Sequence, residues 1–117
     1  MNIHTKFEDI ETDEDLYLMS NVSPSDSGLP FVVYISERQG KHDVRVKVGG
    51  AKKAKPFVAT VSVRPSVELV GGKLSNKELE FLRQWIELNR EIIVDHWEGR
   101  MQSSRDVLNA LKPLPKP

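Results

Sequence analysis

The chain has 117 residues, of which 38% are hydrophobic and 29% charged, so its size suits one globular domain with a single core. It contains no cysteine, which excludes disulfides, thiol catalysis and cysteine-bound metal centres. No run approaches the roughly 18 apolar residues that a membrane span requires. The acidic first residues also lack the apolar stretch of a secretory signal, so we expect a cytoplasmic protein that does not engage a membrane.

The net charge is zero, but acids and bases lie in different segments. Residues 1–28 hold one base and seven acids, a net charge of −6, whereas residues 38–64 hold eight bases and one acid, a net charge of +7. A basic segment of this kind attracts phosphates or acidic protein surfaces. The acidic segment is expected either to remain a disordered, solubilising tail or to fold back on the basic segment.

Turn-forming residues divide the chain into three parts. Residues 1–28 are predicted to be an acidic, weakly structured N-terminal arm, because acids dominate and Ser, Asn, Pro and Gly fill residues 20–28. Within the arm, the apolar residues 16–19 are large enough to dock on the domain or to form a short edge strand. Residues 29–112 are predicted to form a single α+β domain, and residues 113–117 a Pro-rich tail.

Short strand patterns follow the arm. Residues 30–36 are rich in β-branched and aromatic side chains, which favours a buried strand. Residues 42–48 alternate between valines and polar residues, the pattern of a half-buried antiparallel strand with Arg45 and Lys47 on its solvent face. The glycine pair at 49–50 is expected to end this strand.

A second alternating run, residues 57–63, predicts the partner strand of a hairpin. Phe57 shares its face with the small apolar residues of the run, which makes it a candidate core residue. The loop between the two strands, residues 51–55, is rich in lysine. Residues 67–70 are expected to add a short final strand before the helix.

A long amphipathic helix is predicted from Ser75 to Glu98. Ser75 and Glu78 form a capping box at its start, and Gly99 is a natural residue to end it. Apolar residues repeat at helical spacing in a broad stripe, which suits a helix lying across a sheet. The predicted fold class is α+β: a three- to four-stranded, mainly antiparallel sheet with one long helix packed on one face and a short C-terminal helix.

The three histidines show no metal-ligand spacing, so no metal site and no cofactor is predicted. His96 lies at the end of the long helix, where a cationic imidazole would interact favourably with the helix dipole. His42 lies beside Lys41 in the hairpin and is the candidate acid or base of a small nuclease-like enzyme, with Lys41 and Arg45 as phosphate clamps. The other interpretation makes it an exposed histidine at a strand end.

The basic segment is the leading functional candidate. On a hairpin its cations would gather on one surface, to which phosphates are drawn by a salt-sensitive attraction that does not depend on sequence. The residues predicted to bind nucleic acid or another anion are Lys41, Arg45, Lys47, Lys52, Lys53 and Lys55. Aromatic residues are scarce between them, which does not favour stacking on single-stranded bases. The alternative is a solvated surface, or one neutralised by the acidic arm.

We expect a non-enzymatic binding or regulatory module whose partner is a nucleic acid or an acidic protein. One alternative is the nuclease-like enzyme, which His42→Ala would deprive of turnover while leaving binding intact. The other is a homodimeric structural or interaction protein, joined by spare apolar surface at Trp85, Trp97 or residues 16–19.

The helix and its lead-in carry the motifs of a known family. The lead-in Val67-Glu-Leu-Val-Gly-Gly-Lys-Leu contains two glycines. In the helix of that family a mid-helix aromatic or hydrophobic residue, an Asn or His, then a Glu and a terminal Trp recur. In this chain those four residues are Trp85, Asn89, Glu91 and Trp97. With these motifs, and with strands at Val32–Ile35 and Val44–Gly49, residues 31–99 resemble the domain of unknown function 4160 family of small bacterial proteins.

The chain departs from that family in the hairpin. The family carries an Asn-Pro-Pro-His-x-His stretch there, whereas this chain has Gln39-Gly-Lys-His-Asp-Val-Arg, which keeps at most His42. The missing histidines weigh against a histidine-based reaction, and the family itself implies no settled activity. Its members resemble components of toxin–antitoxin-like gene pairs, which implies a genetic context only.

Overall fold

A computed structural model describes residues 19–38, 41–52 and 55–115, with the backbone alone at 50–52 and 55–56. The order of the elements in this part of the chain confirms the predicted α+β class. The elements are β1 (Met19–Val22), α1 (Pro24–Ser27), β2 (Val33–Ser36), β3 (Arg45–Lys52), β4 (Lys55–Ser62), β5 (Leu69–Gly72), α2 (Asn76–Trp97) and α3 (Ser104–Ala110).

The five strands form one antiparallel sheet in the order β1-β2-β3-β4-β5, so that each strand pairs with its neighbours in sequence. The predicted count of three or four strands is wrong because β1 adds an edge strand. Of the residues 16–19 that were considered for such a strand, Met19 belongs to β1. β1 pairs with β2 from Met19↔Ser36 to Val22↔Val33, and this pairing with a distant segment stabilises it. Residues 1–18 lie outside the described residues, and the domain boundaries stay a prediction.

The inner face of the sheet packs against α2. Val46 and Val48 of β3 and Val61 of β4 are at most 1% exposed. Trp85 and Ile86 of α2 belong to the same buried cluster, and both are fully buried. Burial of each such side chain is worth about 1.5–3 kcal/mol before the entropy of ordering is subtracted. The prediction of a long helix packed on one face of the sheet is therefore confirmed.

The start and the end of α2 follow local signals in the sequence. The backbone N–H of Glu78 donates to Ser75 Oγ at 3.0 Å, and the N–H of Ser75 donates to the Glu78 carboxylate at 2.8 Å. These two bonds complete the predicted capping box. Gly99, just beyond the helix, has a φ of 77°, a left-handed conformation that a glycine adopts without a steric penalty.

A buried amide ties the C-terminal segment to α2. Asn89 is 2% exposed, and its Nδ2 donates to the carbonyl oxygens of Trp85 at 3.0 Å and Lys112 at 2.9 Å. Its Oδ1 accepts from the N–H of Lys112 at 2.7 Å. The N–H of Leu114 then donates to the carbonyl of Ser27 in α1 at 2.8 Å. The segment after α3 is thus fixed at two places.

Candidate functional site

The face of the sheet opposite α2 carries the predicted binding residues of β3. Arg45 and Lys47 alternate with the buried Val44, Val46 and Val48, and both are half-buried. Because successive residues of a strand point to opposite faces, the two cations project from the outer face. The predicted alternation of residues 42–48 is confirmed, although β3 continues past the glycine pair to Lys52.

A β-bulge turns Phe57 from the core-facing side to the outer face. Val48 pairs with Ala59, but Gly49 pairs with Phe57, so Val58 is an extra residue in β4. An extra residue reverses the alternation of side chains in the rest of the strand. The assignment of Phe57 as a candidate core residue is therefore wrong.

Phe57 joins Tyr34 and Lys47 on the outer face. The rings of Tyr34 and Phe57 meet edge to face with 5.1 Å between their centroids, and Lys47 Nζ lies 5.8 Å from the Phe57 centroid. A Cβ atom at Gly49 would lie 3.0 Å from Cε1 of Tyr34, so this glycine makes room for the tyrosine ring. The sequence analysis did not identify Tyr34 as a site residue. The available signal was the alternation of β2, which places Tyr34 on the face opposite to the buried Val33 and Ile35.

Phe57 and Lys47 border a shallow depression, which we call the outer groove. Its volume is about 300 Å³, at the lower end of the range for small-ligand sites in proteins. Arg45 and Lys47 line it together with Phe57, Thr60 and the exposed β5 residues Val70 and Gly71. Two cations, an aromatic ring and a hydroxyl group therefore face one open surface.

The other predicted cations lie elsewhere. Lys41 is exposed in the connection before β3, while Lys52 and Lys55 form the last backbone pair at the turn of the β3–β4 hairpin. Lys53 lies outside the described residues, as do the side chains of Lys52 and Lys55. At 3.3 Å per residue, β3 is about 25 Å long, so Lys41 and the lysine-rich turn lie near opposite ends of the strand.

His42 lies near the end of α2. Its ring stacks on Trp97 with 5.5 Å between centroids and 29° between planes. His42 Nδ1 is 2.7 Å from the carbonyl oxygen of Asp43, which accepts only, so Nδ1 carries the proton in the neutral ring. Trp97 belongs to the inner face and Arg45 projects from the outer face. The nuclease-like role of His42 stays a prediction.

Two cations near His42, Arg38 and Arg64, are paired with acids. Arg64 donates to both carboxylate oxygens of Asp43, at 2.8 and 2.9 Å, and this contact lowers the pKa of Asp43 to about 2. Arg38 pairs with Glu98, and its guanidinium carbon lies 5.7 Å from the Trp97 ring. Both of these guanidinium groups therefore have an acidic partner.

His96 is buried beside this cluster. It is 5% exposed, and its Nε2 atom has no hydrogen-bond partner among the described residues. Burial lowers the pKa of His96, and the nearby Glu37 carboxylate only partly opposes the shift. The expectation of a cationic histidine that interacts with the helix dipole is therefore wrong, because the charged form would lose its hydration at this position.

Neither tryptophan offers spare apolar surface for a homodimer. Trp85 is fully buried and Trp97 is 1% exposed, so both belong to the core of one chain. Met19 is also largely buried, and residues 16–18 lie outside the described residues. The large apolar side chains that are exposed in the described part of the chain are Val58, Leu69, Val70, Leu88 and Leu108.

Within the described ranges, no three His, Asp or Glu side chains cluster closely enough to hold a metal ion. None of the helices described there combines the length and apolar character that a bilayer crossing needs. No curated protein and no solved structure matches the chain. The family model Domain of unknown function (DUF4160) matches residues 28–98, more than half of the 117 residues, which confirms the resemblance and shows that the chain belongs to this family.

Proposed function

We propose that the protein is a non-enzymatic module that binds single-stranded nucleic acid on the outer face of its sheet. One observation carries the proposal: Phe57, whose ring contacts Tyr34, lies with Lys47 and Arg45 on an open groove. Aromatic side chains on a sheet stack with unpaired bases, and neighbouring cations bind the phosphates between them. The glycine opposite Phe57 and the bulge in β4 are the backbone features that expose the two rings.

An acidic protein is the weaker candidate for this surface. Carboxylates would pair with Arg45 and Lys47, but they would make no use of the two aromatic rings. Stacking contributes about 1–3 kcal/mol per base and depends little on the identity of the base. A face that combines rings with cations therefore fits a nucleic acid strand better than an acidic peptide.

Two variants separate the two kinds of contact. Lys47→Glu is expected to weaken the binding of a short single-stranded RNA or DNA at least tenfold and to reduce the slope of log K against log salt by about one. Phe57→Leu keeps an apolar side chain and removes the ring. It is expected to weaken binding about tenfold through lost stacking, with an unchanged salt slope.

Lys77→Glu is the matched control for the charge reversal. Lys77 lies on α2, and its Nζ is 5.9 Å from the centroid of Phe81. Like Lys47, it is therefore a lysine beside a phenylalanine ring. Its position outside the outer groove predicts a small, salt-dependent change in affinity only. Fluorescence anisotropy measures the affinities of the wild-type protein and the three variants for single-stranded RNA, single-stranded DNA, duplex DNA and an acidic peptide.

The proposal fails if no oligonucleotide binds, or if Lys77→Glu weakens binding as much as Lys47→Glu. Tighter binding of the acidic peptide, with no effect of Phe57→Leu, would instead assign the surface to an acidic protein. The oligonucleotides are also expected to remain uncut. Cleavage that disappears in His42→Ala, with binding retained, would establish the nuclease-like alternative.

A further inference from the structure

The two edges of the sheet differ in how they are covered. At the β1 edge, Met19 and Ser20 are largely buried and Val22 is fully buried, and Ser20 Oγ donates to Ser104 Oγ of α3 at 3.2 Å. At the other edge all four residues of β5 are exposed, with Leu69 at 40% and Val70 at 48%. An edge strand that carries apolar side chains and no charge or proline is a template for pairing with another strand.

The backbone of β5 points a donor and an acceptor toward the open edge. The N–H of Lys73 donates to the Val58 carbonyl at 3.0 Å, and the Glu68 carbonyl accepts from Ser62 at 2.9 Å, so both of these groups point toward β4. In a trans peptide the carbonyl and the N–H point in opposite directions. The N–H of Leu69 and the carbonyl of Gly72 therefore point away from β4, toward the open edge.

We propose that β5 pairs antiparallel with β5 of a second copy of this chain, about a two-fold axis between Val70 and Gly71. In this register Leu69 lies opposite Gly72 of the second copy, and the outward donor of each meets the outward acceptor of the other. β5 of one copy is thus complementary to β5 of the other, as an isologous dimer interface requires.

The charges that flank β5 fit the same register. Glu68 precedes the strand and Lys73 follows it, and both are exposed. With Val70 opposite Gly71 of the second copy, Glu68 lies opposite Lys73 of that copy, and the symmetry repeats this pair at the other end. Opposite charges in facing positions stabilise a strand pair, whereas a shifted register would lose both contacts.

Gly71 supports the close approach of a second strand. Its φ is not positive, and a Cβ atom at this position would meet nothing within 4 Å, so neither its own conformation nor packing within one chain requires a glycine. In the dimer it lies opposite Val70 of the second copy, where the bulged segments of the two strands meet. A glycine inside a strand commonly marks such an approach.

The resulting assembly is one ten-stranded sheet. A two-fold axis perpendicular to a sheet keeps corresponding faces on the same side, so the two outer grooves would lie side by side. The inference does not depend on what the grooves bind.

Sedimentation equilibrium on the full chain tests the pairing. The wild-type protein is expected to have the dimer mass at high micromolar concentration and to dissociate on dilution. Leu69→Pro removes an N–H that makes no bond to β4, and is expected to give a monomer whose circular dichroism is unchanged. Leu88→Lys, at an exposed leucine of α2, is the control that should remain a dimer.

If Leu69→Pro perturbs the fold, exchanging the charges of Glu68 and Lys73 tests the β5 pairing. Glu68→Lys alone and Lys73→Glu alone each place like charges opposite one another and should raise the dissociation constant about tenfold. The double variant restores opposite charges and should return the dissociation constant to near the wild-type value. A monomeric wild type, or single and double variants that dissociate alike, would overturn the proposal.

Discussion

The two faces of the sheet differ in what their side chains do for the protein. On the inner face, Val46 is fully buried under α2 and contributes to the core. On the outer face, Arg45 and Lys47, its neighbours in the sequence, line an open groove beside Phe57. Because one strand supplies both faces, residues that adjoin in sequence have different physical roles. Stability and binding should therefore respond to different substitutions.

The largest effect is expected at the fully buried Trp85 of α2. Trp85→Ala removes a fully buried ring and should lower the free energy of unfolding by about 3–5 kcal/mol, through lost burial and the cavity left behind. Urea denaturation followed by circular dichroism measures this loss.

Tyr34→Ala is the corresponding test on the outer face. Tyr34 is a half-buried aromatic residue whose removal opens no closed cavity, so the loss of unfolding free energy should be about 1 kcal/mol. Equal losses at Trp85 and Tyr34 would contradict the assignment of stability to one face and binding to the other.

The next effect concerns the amide that fixes the C-terminal segment on the inner side. Asn89→Ala leaves the N–H and the carbonyl of Lys112 without their partner and should cost about 2 kcal/mol. Asn21, an exposed residue of β1, provides the control, since Asn21→Ala should change stability by less than about 0.5 kcal/mol. Amide hydrogen exchange at Lys112 should accelerate in the first variant and not in the second.

The sequence predicts best those features that depend on residues close to one another in the chain. The bounds of α2 follow from Ser75, Glu78 and Gly99, all of which act within one turn of the helix ends. The alternation of β3 is likewise local, and it places Arg45 and Lys47 correctly on one face. For these elements, backbone geometry and side-chain period are sufficient.

The features that the sequence does not predict depend on distant partners. The face of Phe57 is decided by a bulge, and a bulge is defined only by the pairing of β4 with β3. β1 contains only four residues and gains its hydrogen bonds from β2. The burial of Asn89 depends on Lys112, which lies 23 residues later in the chain. For this reason the sequence does not predict the aromatic part of the candidate site, Tyr34 and Phe57.

The free energy of unfolding should depend on pH through His96, a buried residue of α2. Because burial lowers the pKa of His96, the unfolded chain binds a proton near pH 6.5 that the folded chain does not bind. Stability is therefore fully present above that pH and falls as the pH drops below it, by at most about 1.4 kcal/mol per pH unit. Urea midpoints at several pH values between 8 and 5 measure the slope.

One variant assigns that slope to His96: His96→Gln should flatten it. Asp43 acts in a separate range: its pKa of about 2 means that its contribution to stability is lost only as the pH falls below about 4. A slope that persists in His96→Gln would show that another group binds the proton.

The smallest effect expected is a change of affinity at the outer face. If the acidic arm competes with a polyanion for the basic residues, deletion of residues 1–15 should strengthen binding of single-stranded RNA several-fold at low salt. The gain should vanish at physiological salt, where the Debye length falls to about 8 Å from about 30 Å at 0.01 M. Replacing the six acids of residues 1–15 by Asn and Gln, at constant length, should reproduce the gain. The reason is that the negative charge of the arm, and not its volume, competes with the polyanion. An effect of the deletion without an effect of the neutral arm would indicate steric occlusion, and equal affinities for all three proteins at low salt would contradict the competition.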